Sequence, residues 1–317
     1  MPVIVFCRGI LKNGVRIPQE QKRNNMKVAI IYHKIDFDGI CSLAIVRQFV
    51  EKRGDIAVPI GFNYGDTVPP LDEYGQAFIV DCSLSPQEMK SLRDKVVWID
   101  HHRTAIASSV EGGYDDLPGL RREGVGACEL CWEYCHPTEP VPPFVALLSA
   151  YDVWNKWWFD WDSTTLPFQF GMRNRYGLDA DAFYRDFIDD NERYDTVMQE
   201  GAAILKYVRQ SGAIGCKAYG FEITVAGVKA LCVLTPNFGG LALEASAAER
   251  GCPIAVCANR SGDNEWRVSA YASNGDSPVD IGTYLKQHYG GGGHWNAAGC
   301  TISQSLFISR VLKKKAL

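Results

Sequence analysis

From residue 27 onward, short apolar runs alternate with stretches of helical periodicity. Val28 to Tyr32 reads as a buried strand, Ile40 to Lys52 as a helix, Ile56 to Ile60 and Ala77 to Val80 as strands, Pro86 to Arg93 as a helix and Val96 to Ile99 as a strand. That order predicts a parallel, helix-covered sheet, in which ligands collect beyond the carboxyl ends of the strands. The middle of the chain is helical, with candidates at Pro142 to Tyr151, Ala180 to Asp189 and Glu192 to Gln210. After Gly212 the texture changes. Phe221 to Val225 and Val228 to Leu234 form a hairpin pattern around Ala226-Gly227, Leu241 to Arg250 a helix, Ile254 to Ala258 and Trp266 to Ala272 strands, and Val279 to His288 a helix before a glycine run. The predicted division is an extension over 1–25, an α/β domain over 26–191, a connector helix over 192–214 and a smaller α/β domain with a mixed sheet over 215–317.

Length agrees with two domains, since 317 residues is about twice a domain of roughly 150. The 46% hydrophobic and 22% charged composition is that of a soluble globular chain rather than a disordered or fibrous one. Charge narrows the partners. With 33 Lys+Arg against 37 Asp+Glu and a formal charge of −4, the chain lacks the basic excess needed to grip long duplex nucleic acid through many phosphates. Arg8, Lys12, Arg16, Lys22 and Arg23 all lie in the first 25 residues, leaving 28 basic against 36 acidic residues, a charge of −8, over 26–317. Met26 directly precedes the first strand, so the extension reads as an upstream translation start or a loose tail. Val3 to Phe6 is too short for a signal-peptide core and no apolar run approaches about 18 residues, which points to a cytoplasmic protein without a membrane span.

Eleven cysteines, an odd number scattered through predicted elements, argue for reduced thiols. Cys128, Cys131, Cys135 and His136 suggest zinc at first sight, but the cysteines fall at helical spacing among Leu130 and Trp132, so a buried helix face is the expectation. Trp154, Trp157, Trp158 and Trp161 form a second cluster, read as an aromatic core joining the domains in preference to a nucleobase platform.

Chemistry gathers at three strand ends. The first strand runs into His33-Lys34-Ile35-Asp36-Phe37-Asp38-Gly39, the third into Asp81-Cys82-Ser83 and the fourth into Asp100-His101-His102. Each alone reads as a turn or helix cap. Together they concentrate like charge at one sheet edge, which cations would neutralise. Carboxylates with imidazoles suit Mn²⁺, with Mg²⁺, Co²⁺ or Zn²⁺ as substitutes. Two such ions about 3.5–4 Å apart can generate a nucleophile from water and stabilise both oxygens of an in-line displacement at phosphorus.

His33-x-x-Asp36-x-Asp38-Gly39, Val80-Asp81-Cys82-Ser83 and Asp100-His101-His102 resemble the first three motifs of the DHH phosphoesterase superfamily. Gly290-Gly291-Gly292-Gly293-His294-Trp295-Asn296-Ala297-Ala298-Gly299 is similar to the GGGH-x-x-AAG signature of its associated C-terminal domain. The resemblance covers nearly all of the chain from Met26. It implies a DHH catalytic domain followed by a substrate-binding domain, with His33, Asp36 and Asp81 holding one metal and Asp38, Asp81, His101 and a fourth-motif Asp the other. Asp152, in Ser149-Ala150-Tyr151-Asp152, is the candidate for that fourth motif. Asp100 is read as orienting a histidine ring and His102 as facing the substrate phosphate.

Four glycines let backbone N–H groups approach an anion, and an adjacent helix N-terminus is expected to favour negative charge there. Gly291, Gly292, Gly293, His294, Asn296 and Arg103 are accordingly the substrate-binding candidates, with His294, His102 and Asp100 as the catalytic ones and domain closure completing the site. Arg173, Arg175, Arg260 and Arg267 are further candidate phosphate contacts, and the terminal Lys313-Lys314-Lys315 reads as a solvated helix end. One departure stands out: many nuclease-type members carry an Arg where this chain has Tyr271, so that fixed phosphate contact is missing. The function implied is a two-metal, Mn²⁺-dependent phosphoesterase acting on short oligoribonucleotides, linear dinucleotides or a nucleoside bisphosphate. A pyrophosphatase or exopolyphosphatase is the alternative, and a non-catalytic nucleic-acid-binding member of the fold the alternative of another class. The reading is compatible with a homodimer.

Overall fold

The computed structural model describes residues 25–187, 193–234, 240–273 and 276–313. Most of the expected extension, the ends of the helices drawn to Asp189 and from Glu192, and Lys314 and Lys315 lie outside the described residues.

Four parallel strands form the first sheet: β1 (Lys27–His33), β2 (Ile56–Phe62), β3 (Gln76–Val80) and β4 (Val96–Ile99), in the order β2-β1-β3-β4. Their near-continuous Val/Ile runs arise because both faces are covered. Val28, Ile30, Phe78, Val80, Val97 and Ile99 face helices α1 (Phe37–Lys52), α4 (Ala127–Cys135) and α5 (Pro143–Asp152). Ala29, Ile31, Ala77, Ile79, Val96 and Trp98 face the side of α2 (Pro86–Ser91) and α3 (Arg103–Gly112). Tyr32 pairs with Val80 and Val80 with Ile99. The next residues along, His33, Asp81 and Asp100, therefore emerge side by side at the carboxyl edge.

A π-helical turn (Trp161–Thr165), α6 (Leu166–Tyr176) and α7 (Ala180–Phe187) lead to the long α8 (Arg193–Tyr219). α8 continues past the expected end at Gln210, through Gly212 and Gly215. Gly212 is not a breaker, because a Cβ there would overlap the Ala242 carbonyl; the glycine permits close packing on α9 (Gly240–Glu249).

The second sheet runs β5-β6-β7-β8-β10-β9, with β5 (Phe221–Val225), β6 (Val228–Leu234), β7 (Ile254–Arg260), β8 (Glu265–Ala272), β9 (Gly292–Gly293) and β10 (Ala297–Ser303). Only β6 and β7 pair in parallel; the other pairs are antiparallel. Ala226 and Gly227 both have positive φ, the backbone that a two-residue hairpin requires. Helices α10 (Ile281–Tyr289) and α11 (Gln304–Phe307) cover one face through Ile281, Leu285 and Phe307, while α9 and Cys216 of α8 cover the other.

The glycine run differs from expectation. Gly290 is the left-handed cap ending α10, and Gly292 and Gly293 are a short strand on β10. No helix follows it because the small residues Ala297, Ala298 and Gly299 pair with β8 instead. The described cysteines are all buried and unpaired, and Cys128, Cys131 and Cys135 sit in the first core as their helical spacing predicts. Trp154 and Trp161 pack with Tyr151, Leu166 and Leu205, whereas Trp157 is 90% exposed and Trp158 48%. No described helix is long and apolar enough to cross a membrane.

Candidate metal centre and cleft

The sheet edge fixes one half of the site and helix starts fix the other. Asp36 is the N-cap of α1, accepting from the Gly39 N–H at 2.9 Å. Asp38 lies in the first turn of the same helix, buried, and accepts from the backbone N–H groups of Ala127 (2.6 Å) and Cys128 (2.7 Å) at the start of α4. Those N–H groups have no intrahelical partners, so the start of α4 holds Asp38 in one orientation. Gly126 makes room, because a Cβ there would stand 2.8 Å from Ser149 Cα and 2.9 Å from Asp38 Oδ1.

Two groups of donors result. His33 Nδ1 lies 2.6 Å from Asp36 Oδ2 and 3.5 Å from Asp81 Oδ2. His101 Nε2 lies 3.4 Å from Asp38 Oδ2, 3.1 Å from Asp81 Oδ1 and 3.2 Å from Asp152 Oδ2. Asp81 thus offers one oxygen to each group. His33, Asp36 and Asp81 converge closely enough to hold one cation, as do Asp38, His101 and Asp152. Asp81 Oδ2 and His33 Nδ1 are buried without an aligned hydrogen bond. Pairs of acceptors crowded this way fit metal ions, which would take their lone pairs.

The electrostatics without a cation are correspondingly tense. Burial, then repulsion from Asp38 and Asp36, pushes Asp81 well above the usual carboxylate range. Burial and Asp38 raise Asp152 to about 7, against the pull of His101. Burial opposes charge on His33, but Asp36 and Asp81 overcome it and hold the imidazole up at about 10. The same pairing outweighs burial at Asp36 and lowers it to about 2.

Asp100 is fully buried and its Oδ1 binds the His101 N–H (2.7 Å), the His102 N–H (3.1 Å) and His102 Nδ1 (2.8 Å). This fixes the ring through Nδ1 and leaves Nε2 as its other nitrogen. His294 comes from the second sheet, between β9 and β10, its ring stacked on His102 at 5.3 Å between centroids and 5.0 Å from that of His101. Burial, with His102 and His101 beside it, lowers its pKa well below the ordinary value, which favours the neutral ring.

A cleft of about 790 Å³ opens beside His33 and His102 and runs between the carboxyl edge of the first sheet and strands β8 to β10 of the second. Gly291, Gly292 and Gly293 line it. Two substrate candidates are engaged elsewhere. Arg103 pairs with Asp280 at 3.1 Å and lies over the Trp295 ring, joining α3 to the elements of the second sheet. Asn296 donates to Asp276 and accepts from the Ser277 N–H, because its side chain braces that turn. Arg173 lies over Tyr151, Arg175 pairs with Glu200 and Arg260 donates to the Asp263 carbonyl, whereas Arg267 lines the cleft. Tyr271 on β8 stacks on Trp154 at 6.0 Å, a packing contact. Sequence reasoning missed Tyr64 and Lys286, both on the cleft wall, and the role of Gly126. Nothing local marks Tyr64 or Lys286, and the partner of Gly126 lies some 90 residues away.

Comparison with known proteins follows the same lines. Residues 27–136 match the family model described as DHH family, N-terminal domain. An uncharacterized protein of Acanthamoeba polyphaga mimivirus is 24% identical over 141 residues, 39% of this chain and 33% of the relative, so the match spans about a third of that protein. The pGpG-specific phosphodiesterase PggH from Vibrio cholerae has a similar fold at 16% identity, with a TM-score of 0.52 over 91% of this chain and 97% of that one. RecJ from Thermus thermophilus in complex with Mn²⁺ is 15% identical with a TM-score of 0.51, covering 90% of this chain and 51% of that one.

Proposed function

We propose that the chain, whose residues 27–136 match the model of the DHH family, N-terminal domain, is a two-metal phosphoesterase hydrolysing phosphodiester or phosphomonoester bonds of short nucleotide substrates. The observation that carries this reading is the sharing of Asp81, whose two oxygens face His33 and His101 in separate donor groups. Oxygen and imidazole donors without thiolate suit Mn²⁺, with Mg²⁺ or Co²⁺ as substitutes. Bound there, the metals would supply Lewis-acid stabilisation of charge on the phosphoryl oxygens and activation of water.

The chain's own residues supply position and protons. The start of α4 holds Asp38, and Asp100 holds His102 with Nε2 free for the substrate phosphate. Neutral His294 both donates and accepts, so it can bind a phosphoryl oxygen or pass a proton there. It reaches the site only from the second domain, which we read as the DHH-associated substrate-binding domain. Closure of the two domains therefore assembles the site and excludes water.

Substrate size follows from the cleft. Its volume, about 790 Å³, falls within the roughly 300–1,000 Å³ of small-ligand sites. The walls carry Tyr64, 54% exposed and edge-on to His33 at 6.0 Å, which suits a nucleobase more than inorganic pyrophosphate. All the acidic and histidine donors are intact, which disfavours a purely binding role. The neighbouring folds of a pGpG-specific phosphodiesterase and a Mn²⁺-bound RecJ agree with this reading.

The test is hydrolysis of a di- to pentanucleotide panel, with pyrophosphate and polyphosphate alongside, in Mn²⁺ and in chelator. Metal-dependent cleavage of the shortest oligonucleotides is expected. Faster phosphate release from pyrophosphate or polyphosphate would favour the alternative, and no cleavage of any member would leave only the binding role.

A further inference from the structure

Resting on the two-metal phosphoesterase reading, we propose that Trp154 is a positioning residue for Asp152. It ties the end of α5 to the second sheet, so the placement of this metal-ligand candidate depends on Tyr271 of β8.

Asp152 is held unlike the other donors. His33 ends β1, Asp81 and His101 closely follow β3 and β4, Asp36 caps α1 and Asp38 accepts two backbone N–H groups. Asp152 is the last residue of α5, where the helix carbonyls leave a negative partial charge that disfavours a carboxylate. No backbone N–H is bonded to its side chain among the described residues. Its Oδ2 faces His101 Nε2 at 3.2 Å and, from between β9 and β10, His294 Nε2 at 4.0 Å. What places the carboxylate is therefore the backbone at the end of the helix.

That end breaks a local rule. The Trp154 N–H bonds to the Tyr151 carbonyl at 3.2 Å and the Asn155 N–H to the Ala150 carbonyl at 2.8 Å, with Trp154 at a φ of 57°. Such paired bonds commonly close a helix around a left-handed residue, and that residue is usually glycine. Glycine takes this backbone freely, whereas the Cβ of a tryptophan crowds the carbonyl that follows it. The ring supplies what glycine lacks. It stacks on Tyr271 with 6.0 Å between centroids, stands edge-on to Trp161 at 5.2 Å and lies 5.8 Å from the ring of Tyr151. Lys156 Nζ sits 5.5 Å from the Trp154 ring and 3.2 Å from Glu244 Oε2 on α9, which covers one face of the second sheet.

A glycine would end α5 without strain and without an anchor. The tryptophan holds a strained backbone in place because β8 and α9 pack around it. Only two residues of backbone separate that anchor from Asp152, so a shift of β8 against the first sheet reaches the metal centre through Trp154.

The experiment titrates Mn²⁺ calorimetrically into the full chain and its Trp154→Gly, Trp154→Phe, Tyr271→Leu and Trp154→Gly/Tyr271→Leu variants. Glycine keeps both closing bonds and relieves the backbone, so a role in capping alone predicts undiminished metal affinity. Positioning predicts instead that Trp154→Gly and Tyr271→Leu each weaken one Mn²⁺ site by roughly 10–100-fold, as loss of a residue that orients a ligand does. The double variant should be no weaker than the weaker single one, since the two rings act through one contact, and Trp154→Phe should recover part of the loss. Parental affinity in Trp154→Gly, or additive losses in the double variant, would overturn the proposal. If the parent binds no Mn²⁺ the two-metal reading fails, and amide hydrogen exchange of Trp154 and Asn155 in chelator still decides the coupling: faster exchange in Tyr271→Leu than in the parent supports it, and equal exchange removes it.

Discussion

Asp81 combines a buried carboxyl with a φ of 57°, in the left-handed region that non-glycine residues seldom adopt. Strain and like-charge crowding in one residue are tolerable where a bound cation repays them. Asparagine accepts left-handed backbone readily, so Asp81→Asn removes the charge while keeping the geometry. Differential scanning fluorimetry in chelator should show this variant melting above the parent, whereas Mn²⁺ should raise the melting point of the parent only. Hydrolysis by the variant should fall more than about 100-fold, since a shared metal ligand matters at least as much as the residues that orient ligands. Gly126→Ala tests the other side of the site. The added Cβ presses on Asp38 Oδ1 and Ser149 Cα, so it should cost about 1–3 kcal/mol in urea unfolding and weaken Mn²⁺ binding by calorimetry. Equal affinity in the parent and the variant would mean that the start of α4 does not set the orientation of Asp38.

α8 carries a contrast within a single helix. At Gly212 a Cβ meets the Ala242 carbonyl, and at Gly215 it meets nothing within 4 Å. Gly215→Ala should therefore stabilise the chain by up to about 1 kcal/mol through helix propensity. Gly212→Ala should destabilise it by about 1–3 kcal/mol, because overpacking against α9 outweighs the same gain. Urea midpoints of the two variants on opposite sides of the parent would establish the contrast. The same pair shows where sequence stops informing on elements. β1, β3 and β4 were legible because continuous Val/Ile runs have one low-energy arrangement in a covered parallel sheet. Because those strands end in Asp or His, the gathering of His33, Asp81 and Asp100 at one sheet edge was legible with them. α8 was cut short because a glycine that breaks a solvated helix and one that admits a neighbour look alike in sequence. β9 and β10 were unreadable because Gly292, Gly293, Ala297, Ala298 and Gly299 lack strand propensity and owe their conformation to pairing with β8. The pairing of Arg103 with Asp280 was not legible because the two stand 177 residues apart.

Elements of both sheets meet where His294 packs on His101 and His102, so the stability of the whole molecule is tied to the charges gathered there. Five acids, Asp36, Asp38, Asp81, Asp100 and Asp152, would go from a charge of −5 to about −1 with two divalent cations. Without them protons take over that role. Asp152, at about 7 in the folded chain, keeps a proton that the unfolded chain gives up near its ordinary value, so the metal-free fold loses stability as pH rises from about 4 to about 7. Asp81, raised by burial and its acidic neighbours, acts with the same sign. His33, held at about 10, contributes stability that is full below the ordinary histidine value and fades as pH climbs toward 10. His294 runs the other way, since its lowered pKa favours the fold as pH rises through the ordinary histidine range. Asp36, at about 2, matters only in acid. Burial opposes charge on His101, but Asp152, Asp38 and Asp100 raise it, so it acts as His33 does and four groups against one set the net slope. Melting temperatures in chelator should fall between pH 5.5 and 8.5, and the rise produced by Mn²⁺ should be larger at pH 8 than at pH 5.5, because fewer protons must then be displaced. A chelated melting temperature that is level or rises over that range would show that the acids are not sharing protons in place of metal. The two-cation assignment would then lose its electrostatic basis.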